Sequence, residues 1–138
     1  MNQDYSKFLI KEYQHWLVNV HENQGNLGRC VIWSKRDNAL DLADATEKEQ
    51  DELFVILKAL RSASKTCFNP DWFNYAFLGN VSRHLHGHFI PRYAKSIEFM
   101  GLTFEDKLYG HNYKTDHRFV TSEKLLQEVR SRLKEALK

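Results

Sequence analysis

Residues 84–92 of this 138-residue chain read His-Leu-His-Gly-His-Phe-Ile-Pro-Arg and hold three of its seven histidines. Histidine alternates there with leucine, glycine and phenylalanine, and alternation with a period of two is typical of a β-strand. On a strand, side chains two positions apart point to the same side and lie about 6.6–6.8 Å apart. The sequence therefore predicts three imidazoles in a row on one strand face: His84, His86 and His88.

Such a row of imidazoles allows three interpretations. The first is a set of hydrogen-bonded histidines without chemistry, which would require many polar partners. The second is a zinc site, in which two histidines at i and i+2 share the ion and a distant residue such as His111 or His117 completes the site. The third is nucleophilic catalysis, because a neutral imidazole can attack phosphorus while its neighbours hold phosphate oxygens.

The segments upstream of the histidines predict a hairpin and a helix. Residues 16–20 and 28–35 have strand character and are joined by turn formers. Thr46 and Glu49 fit a capping box, and apolar residues recur after them at helical spacing until about Cys67. These features predict a helix between two pairs of strands, the second pair being residues 72–78 and 84–92.

The two ends of the chain complete the predicted order of elements. Residues 5–14 are predicted as a short helix, and a last helix is expected after Thr121. Residues 94–118 show no firm periodicity and are predicted as a loop. Hairpins separated by helices predict the α+β class, with an antiparallel β-sheet and packed helices, in one domain spanning residues 1–138.

Charge and targeting features narrow the possible partners. Lys plus Arg total 20 and Asp plus Glu total 18, a net charge of +2, so bulk electrostatics predict no binding of nucleic acid or of an anionic membrane. The longest stretch without charged residues, 72–82, is about half of a membrane span. Because the N-terminal sequence also lacks the apolar segment of a secretory signal, we expect a soluble, cytoplasmic protein.

The block around the histidines resembles the histidine triad (HIT) superfamily of nucleotide hydrolases and transferases. The family motif alternates three histidines with apolar residues, and here it reads His-Leu-His-Gly-His-Phe-Ile over residues 84–90. The stretch Asn-Tyr-Ala-Phe-Leu-Gly-Asn at 74–80 is similar to the bacterial branch, as are Gly-Arg-Cys-Val-Ile at 28–32 and the helix from Thr46. The resemblance covers about residues 16–92. Within the superfamily, the chain resembles the dinucleoside polyphosphate hydrolases.

This resemblance implies an enzyme that is a nucleotide hydrolase or a nucleotidyl transferase, and it implies a mechanism. His86 would attack the α-phosphorus of a dinucleoside polyphosphate or a nucleoside phosphoramidate and form a nucleotidyl-histidine intermediate that water cleaves. His84 and His88 would orient the phosphate, donate hydrogen bonds and protonate the leaving oxygen. No cofactor is required, although Mg²⁺ would accompany a polyphosphate substrate. The family also implies a homodimer whose ligand is a small-molecule nucleotide.

Five further residues are candidates for substrate binding through this resemblance: Asn19, Arg29, Asn74, Asn80 and Ser82. Two positions depart from the family pattern. Gly87 replaces an apolar residue and suggests the close approach of another backbone segment, and Arg29 stands where many relatives have a histidine. The remaining histidines receive no firm role: His15, His21, His111 and His117.

Two alternatives belong to other functional classes. One is a non-catalytic nucleotide-binding protein that keeps the pocket for signalling or assembly. The other is a zinc-dependent hydrolase that uses the histidine row as metal ligands, whereas the nucleotidyl-histidine mechanism assigns no residue to a metal.

Overall fold

The computed structural model describes residues 6–138 and confirms the α+β class. Its main sheet has five strands in the order β1-β2-β3-β5-β4, with antiparallel pairing throughout. A separate two-stranded ribbon follows it. The elements are β1 (Leu9–Glu12), β2 (Trp16–Val20), β3 (Cys30–Ser34), α1 (Glu47–Phe68), β4 (Trp72–Ala76), β5 (His86–Arg92), β6 (Ile97–Phe99), β7 (Leu102–Phe104) and α2 (Glu123–Ala136).

The predicted first hairpin is confirmed by the pairing of β2 with β3. Its connection is closed by Gln24, a fully buried side chain. The Gln24 amide donates to the carbonyls of His21 (2.8 Å) and Arg29 (2.9 Å), and its oxygen accepts from the Gly28 N–H (2.8 Å). Because these bonds replace backbone pairing in the turn, the connection can place both His21 and Arg29 beside the sheet.

Capping residues mark the beginning of both long helices. Thr46 and Glu49 form the predicted capping box of α1, and the helix ends at Phe68, where Asn69 adopts a left-handed conformation. Ser122 caps α2, whose buried residues lie in the same core as those of α1. One side chain of the predicted apolar face of α1 lies outside that core, because Phe54 is 62% exposed. No helix within residues 6–138 is long and apolar enough to cross a membrane.

The predicted N-terminal helix is wrong. Residues 9–12 form β1, which pairs antiparallel with β2 through a register shift after Leu9, and only Ser6–Phe8 form a 3₁₀ turn. Tyr5, the first residue of that prediction, lies outside the described residues. These residues form a strand because β2 would otherwise present an unpaired edge. Pairing across the sheet overrides a weak local preference for helix.

The loop predicted for residues 94–118 is partly wrong, because it contains the β6–β7 hairpin. The turn of this hairpin holds Met100 at φ 55° and Gly101 at φ 76°. Two consecutive positive φ angles are typical of the tight turns that match the strand twist. The strand pair is only three residues long on each side, which is too short to produce a clear periodicity.

The second predicted strand pair is confirmed with shorter limits, because β4 ends at Ala76 and β5 begins at His86. The Leu85 N–H bonds to the Ala39 carbonyl (2.9 Å), outside the sheet, so the chain enters β5 from a loop. His84 therefore lies in that loop and not in the strand, contrary to the prediction.

Candidate active site

His86 and His88 lie on the face of the sheet that is turned away from the helices. His86 and His88 alternate along β5 with Gly87 and Phe89, and Phe89 is fully buried in the core that holds both helices. Across the strands, His86 is paired with Trp33 of β3, and His88 is paired with Val31 of β3 and Ala76 of β4. The open face therefore centres on two imidazoles with strands on both sides.

The hydrogen bond of His86 determines its tautomer. Its Nδ1 lies 2.6 Å from the carbonyl oxygen of His84, and a carbonyl can only accept, so Nδ1 carries the proton. The other ring nitrogen, Nε2, has no hydrogen-bond partner among residues 6–138. A neutral His86 thus has a free electron pair on Nε2 and a backbone dipole behind Nδ1 that stabilises positive charge on the ring.

His84 supplies that carbonyl, and two contacts hold His84 in place. Its Nε2 donates to the carbonyl of Ser34 (2.6 Å), and its ring stacks on Trp33 with centroids 4.2 Å apart. The Trp33 ring also lies 5.2 Å from the His86 ring. Trp33 therefore supports both imidazoles, although sequence analysis assigned it no role.

His88 meets a cation on its other side. The Arg29 Nη2 lies 3.3 Å from His88 Nδ1, and a guanidinium can only donate, so Nδ1 accepts and the proton of neutral His88 resides on Nε2. Burial lowers the pKa of His88 to about 4, with further contributions from the charges of Arg29 and His86. His88 is therefore uncharged at neutral pH and presents an N–H donor.

His21 also belongs to this cluster. Its ring centroid lies 5.7 Å from that of His88, and its Nδ1 accepts from the Asn23 N–H at 2.9 Å. Burial, followed by the charges of Arg29 and His88, lowers the pKa of His21 to about 3. The sequence contained a signal for this position, because His21 follows Asn19 by two residues and so continues the same strand face.

Arg29 is 4% exposed, and the groups around it are neutral. Its Nη1 donates to the Thr115 hydroxyl (2.8 Å), and its guanidinium lies 5.3 Å from the Tyr113 ring centroid. Its Nε is buried and has no hydrogen-bond partner among the described residues 6–138. No carboxylate within residues 6–138 lies within ion-pair distance of it.

The asparagine candidates are distributed unevenly. Asn74 of β4 lies on the histidine face and lines a cleft of about 830 Å³ that also reaches Ala76 and Thr115. Its Oδ1 accepts from Arg92 (2.6 Å), which leaves its amide N–H groups as the available donors. Asn19 of β2 is half-buried on the same face.

Asn80 and Ser82 do not join this cluster. Both are exposed in the loop between β4 and β5, and neither forms a hydrogen bond to a histidine within residues 6–138.

Comparison with known proteins agrees with this geometry. No protein-family model matches the chain. A bis(5'-adenosyl)-triphosphatase of Saccharomyces cerevisiae is 32% identical over 116 residues, covering 75% of this chain and 54% of that protein. The chain thus spans about half the length of the curated relatives it matches. A solved histidine triad protein from Bradyrhizobium japonicum superposes with a TM-score of 0.70 at 19% identity, covering 94% of this chain and 90% of that one. The fold of this chain is therefore that of the histidine triad proteins.

Other solved histidine triad structures share the fold. One from Marinobacter aquaeolei has a TM-score of 0.69 at 19% identity and covers 94% of this chain and 87% of that one. A Zn-bound family protein from Mycobacterium smegmatis has a TM-score of 0.61 at 20% identity, with coverage of 94% and 87%. Within residues 6–138 of this chain, no three His, Cys, Asp or Glu side chains are grouped to hold a metal ion.

The glycine inside the histidine triad has a specific neighbour. A Cβ added to Gly87 would lie 2.4 Å from two atoms of the Phe77 ring. The expectation of a close backbone segment is therefore wrong, because the ring of Phe77 occupies the space that a side chain at position 87 would need.

Proposed function

We propose that this chain is a histidine triad protein and a nucleotide hydrolase that acts at an α-phosphate through a nucleotidyl-histidine intermediate on His86. The observation that carries the proposal is the 2.6 Å hydrogen bond from His86 Nδ1 to the His84 carbonyl. It leaves the electron pair of Nε2 free for attack and stabilises the imidazolium that forms.

In the first step, the Nε2 electron pair of His86 forms a bond to the α-phosphorus. The bond from phosphorus to the leaving oxygen breaks, and its electron pair departs with the leaving phosphate group. The His86 ring then carries phosphorus on Nε2 and a proton on Nδ1, so its positive charge lies beside the His84 carbonyl oxygen.

In the second step, water attacks the same phosphorus and loses a proton to the solvent. The bond between phosphorus and Nε2 breaks, and its electron pair returns to His86. A nucleoside monophosphate leaves, and the enzyme regains its starting tautomer. His88 assists both steps, because its Nε2–H donates to a phosphate oxygen on which negative charge accumulates.

The substrate class and the assembly are further parts of this proposal. The name of the yeast relative, a bis(5'-adenosyl)-triphosphatase, supports a dinucleoside polyphosphate substrate, which Mg²⁺ would accompany. A homodimer is supported by the apolar side chains along the edge strand β4 and just after it. Their exposed fractions are 65% for Trp72, 42% for Tyr75 and 58% for Leu78.

The proposal is tested by trapping the intermediate. The protein is mixed with diadenosine triphosphate, quenched within milliseconds in alkali because a phosphoramidate is acid-labile, and analysed by mass spectrometry. We expect an adenylyl adduct on His86. The His86→Asn variant should form no adduct and should lose at least about 10⁴-fold in kcat, the scale for removal of a covalent nucleophile.

A matched control is His117→Asn, because His117 is an exposed histidine outside the cluster. It should retain full turnover. Full turnover in His86→Asn would contradict the proposal. Nucleotide binding without turnover in the wild type would indicate a non-catalytic binding protein, and EDTA-sensitive activity with stoichiometric zinc would indicate the zinc-dependent hydrolase.

A further inference from the structure

Arg29 is a buried cation next to the proposed nucleotide site, and no carboxylate within residues 6–138 forms an ion pair with it. Its guanidinium touches a ring nitrogen of His88, the hydroxyl of Thr115 and the face of Tyr113, all of them uncharged groups. A buried charge without a counter-charge destabilises a folded protein. Such a group is more readily explained by a role in function than by one in stability.

The position of Arg29 has a direct effect on His88. Because a guanidinium has hydrogen on every nitrogen and no acceptor, it can bond to the His88 ring only when Nδ1 is unprotonated. A proton added to Nδ1 would meet a permanent positive charge at 3.3 Å. Arg29 therefore opposes both the other tautomer of His88 and its cationic form.

The other groups around His88 act in the same direction or are neutral. From β5, His86 lies with its ring 5.3 Å away, and from the β2–β3 connection, His21 lies 5.7 Å away. Tyr113 contacts Arg29, whose guanidinium lies over the Tyr113 ring. No Asp or Glu within residues 6–138 forms an ion pair with any of these groups, so no direct counter-charge there offsets the charge of Arg29.

We infer that Arg29 is a positioning residue that keeps His88 uncharged with its proton on Nε2, so that His88 binds phosphate but cannot protonate the leaving group. The part that concerns the leaving group rests on the proposed function. The resemblance in sequence implied that His88 protonates the leaving oxygen, and the present inference differs from that expectation. The inference also makes Arg29 a determinant of leaving-group specificity.

The chemical consequence is a preference for one class of leaving group. A phosphate leaving from an anhydride departs as a stable anion and needs no proton. An amine leaving from a nucleoside phosphoramidate must gain a proton as the bond from phosphorus to nitrogen breaks. Neutral His88 cannot supply that proton, because loss of its Nε2 hydrogen would leave an imidazolate.

The first experiment needs no substrate and therefore does not depend on the proposed function. Histidine ¹⁵N chemical shifts are measured over pH 4–8 in the protein and in Arg29→Met and Arg29→Lys variants, with a His88→Gln variant for assignment. We expect His88 of the wild type to be protonated on Nε2 alone above pH 5. Arg29→Met should populate both tautomers and shift the titration upwards, whereas Arg29→Lys, which keeps the charge, should titrate close to the wild type.

Two results would overturn the inference at this stage. One is a wild-type His88 that carries its proton on Nδ1 or that titrates near pH 6.5. The other is an Arg29→Met variant with tautomer and titration unchanged. Because the signals are read only from samples with the dispersed spectrum of a folded protein, an unfolded variant would be recognised, and Arg29→Lys would then supply the comparison.

The second experiment measures leaving-group specificity. The kcat/KM for diadenosine triphosphate is divided by that for adenosine 5'-phosphoramidate in the wild type and in Arg29→Met. We expect the ratio to fall at least about tenfold in the variant, since one unit of pKa changes the cationic fraction of His88 tenfold at neutral pH. An unchanged ratio would overturn the specificity role. Absence of turnover of both substrates by the wild type would instead contradict the proposed function, with the ¹⁵N result unaffected.

Discussion

Two arginines of this protein are almost equally buried, yet their surroundings are opposite. Arg29 is 4% exposed and Arg92 is 2% exposed. Arg92 forms a bidentate ion pair with Asp106 (2.7 and 3.1 Å) and donates to two backbone carbonyls and to Asn74. Within the described part of the chain, the hydrogen-bond partners of Arg29 are one hydroxyl and one imidazole, and its Nε has none.

The difference separates a cation that has a counter-charge within the fold from one that has none among residues 6–138. The charge of Arg92 is neutralised within the fold, and its hydrogen bonds hold the chain around residues 106–111 against the sheet. No carboxylate within residues 6–138 forms an ion pair with Arg29, so its field extends to the two neutral histidines beside it. Burial alone therefore does not reveal the role of an arginine, whereas the chemistry of its partners does.

The largest expected effect comes from the same substitution at the two sites. Arg92→Met should lower the free energy of unfolding by about 3–5 kcal/mol, because it leaves the buried Asp106 carboxylate without its partner. Arg29→Met should leave this free energy within about 1 kcal/mol of the wild type, or higher, because it removes an uncompensated buried charge. Urea denaturation of the protein without ligand measures both values.

A double variant separates the ion pair from simple packing. Arg92→Met combined with Asp106→Leu should recover much of the loss, since both charges are then removed. Equal destabilisation by Arg29→Met and Arg92→Met would show that the two arginines do not differ as described.

A smaller effect concerns acid sensitivity. The pKa of His21 is lowered to about 3 and that of His88 to about 4, so below about pH 6.5 the unfolded chain binds protons that the folded protein does not. The free energy of unfolding should therefore fall as the pH falls from 6.5 towards 4. Because Arg29 contributes to both shifts, Arg29→Met should reduce this fall.

Urea midpoints at pH 7, 6 and 5 measure how steeply the free energy of unfolding falls with pH. His117→Gln serves as the control, because it removes an exposed histidine outside the cluster, and its slope should match the wild type. A wild-type stability that is constant over this range would contradict the lowered pKa values of His21 and His88.

The smallest expected effect is that of Thr115→Val. This change removes the hydroxyl that accepts from Arg29 Nη1 at 2.8 Å and should cost about 1 kcal/mol, the scale of one hydrogen bond. In the Arg29→Met background, the same change should cost nearly nothing. Equal costs in both backgrounds, measured as a double-mutant cycle by urea denaturation, would show that Thr115 does not act through Arg29.

Much of the fold could be predicted because its signals are local. The capping box at Thr46 and the turn formers between β2 and β3 specify backbone conformation within a few residues. By contrast, β1 forms because it pairs with β2, which would otherwise be an unpaired edge of the sheet. The β6–β7 hairpin is too short to show periodicity. Those two elements were therefore missed.

The candidate site also has features that the sequence predicted and features that it did not. By itself, the sequence determined that two histidines lie two residues apart on one strand face, and its resemblance to the superfamily predicted that His86 is the nucleophile. Only the tertiary structure decided which ring nitrogens carry protons, because the partners of His86 and His88 include a carbonyl two residues back and a guanidinium 59 residues away. It also brought His21 and Trp33 to the triad, since contacts between strands depend on register and not on distance along the chain.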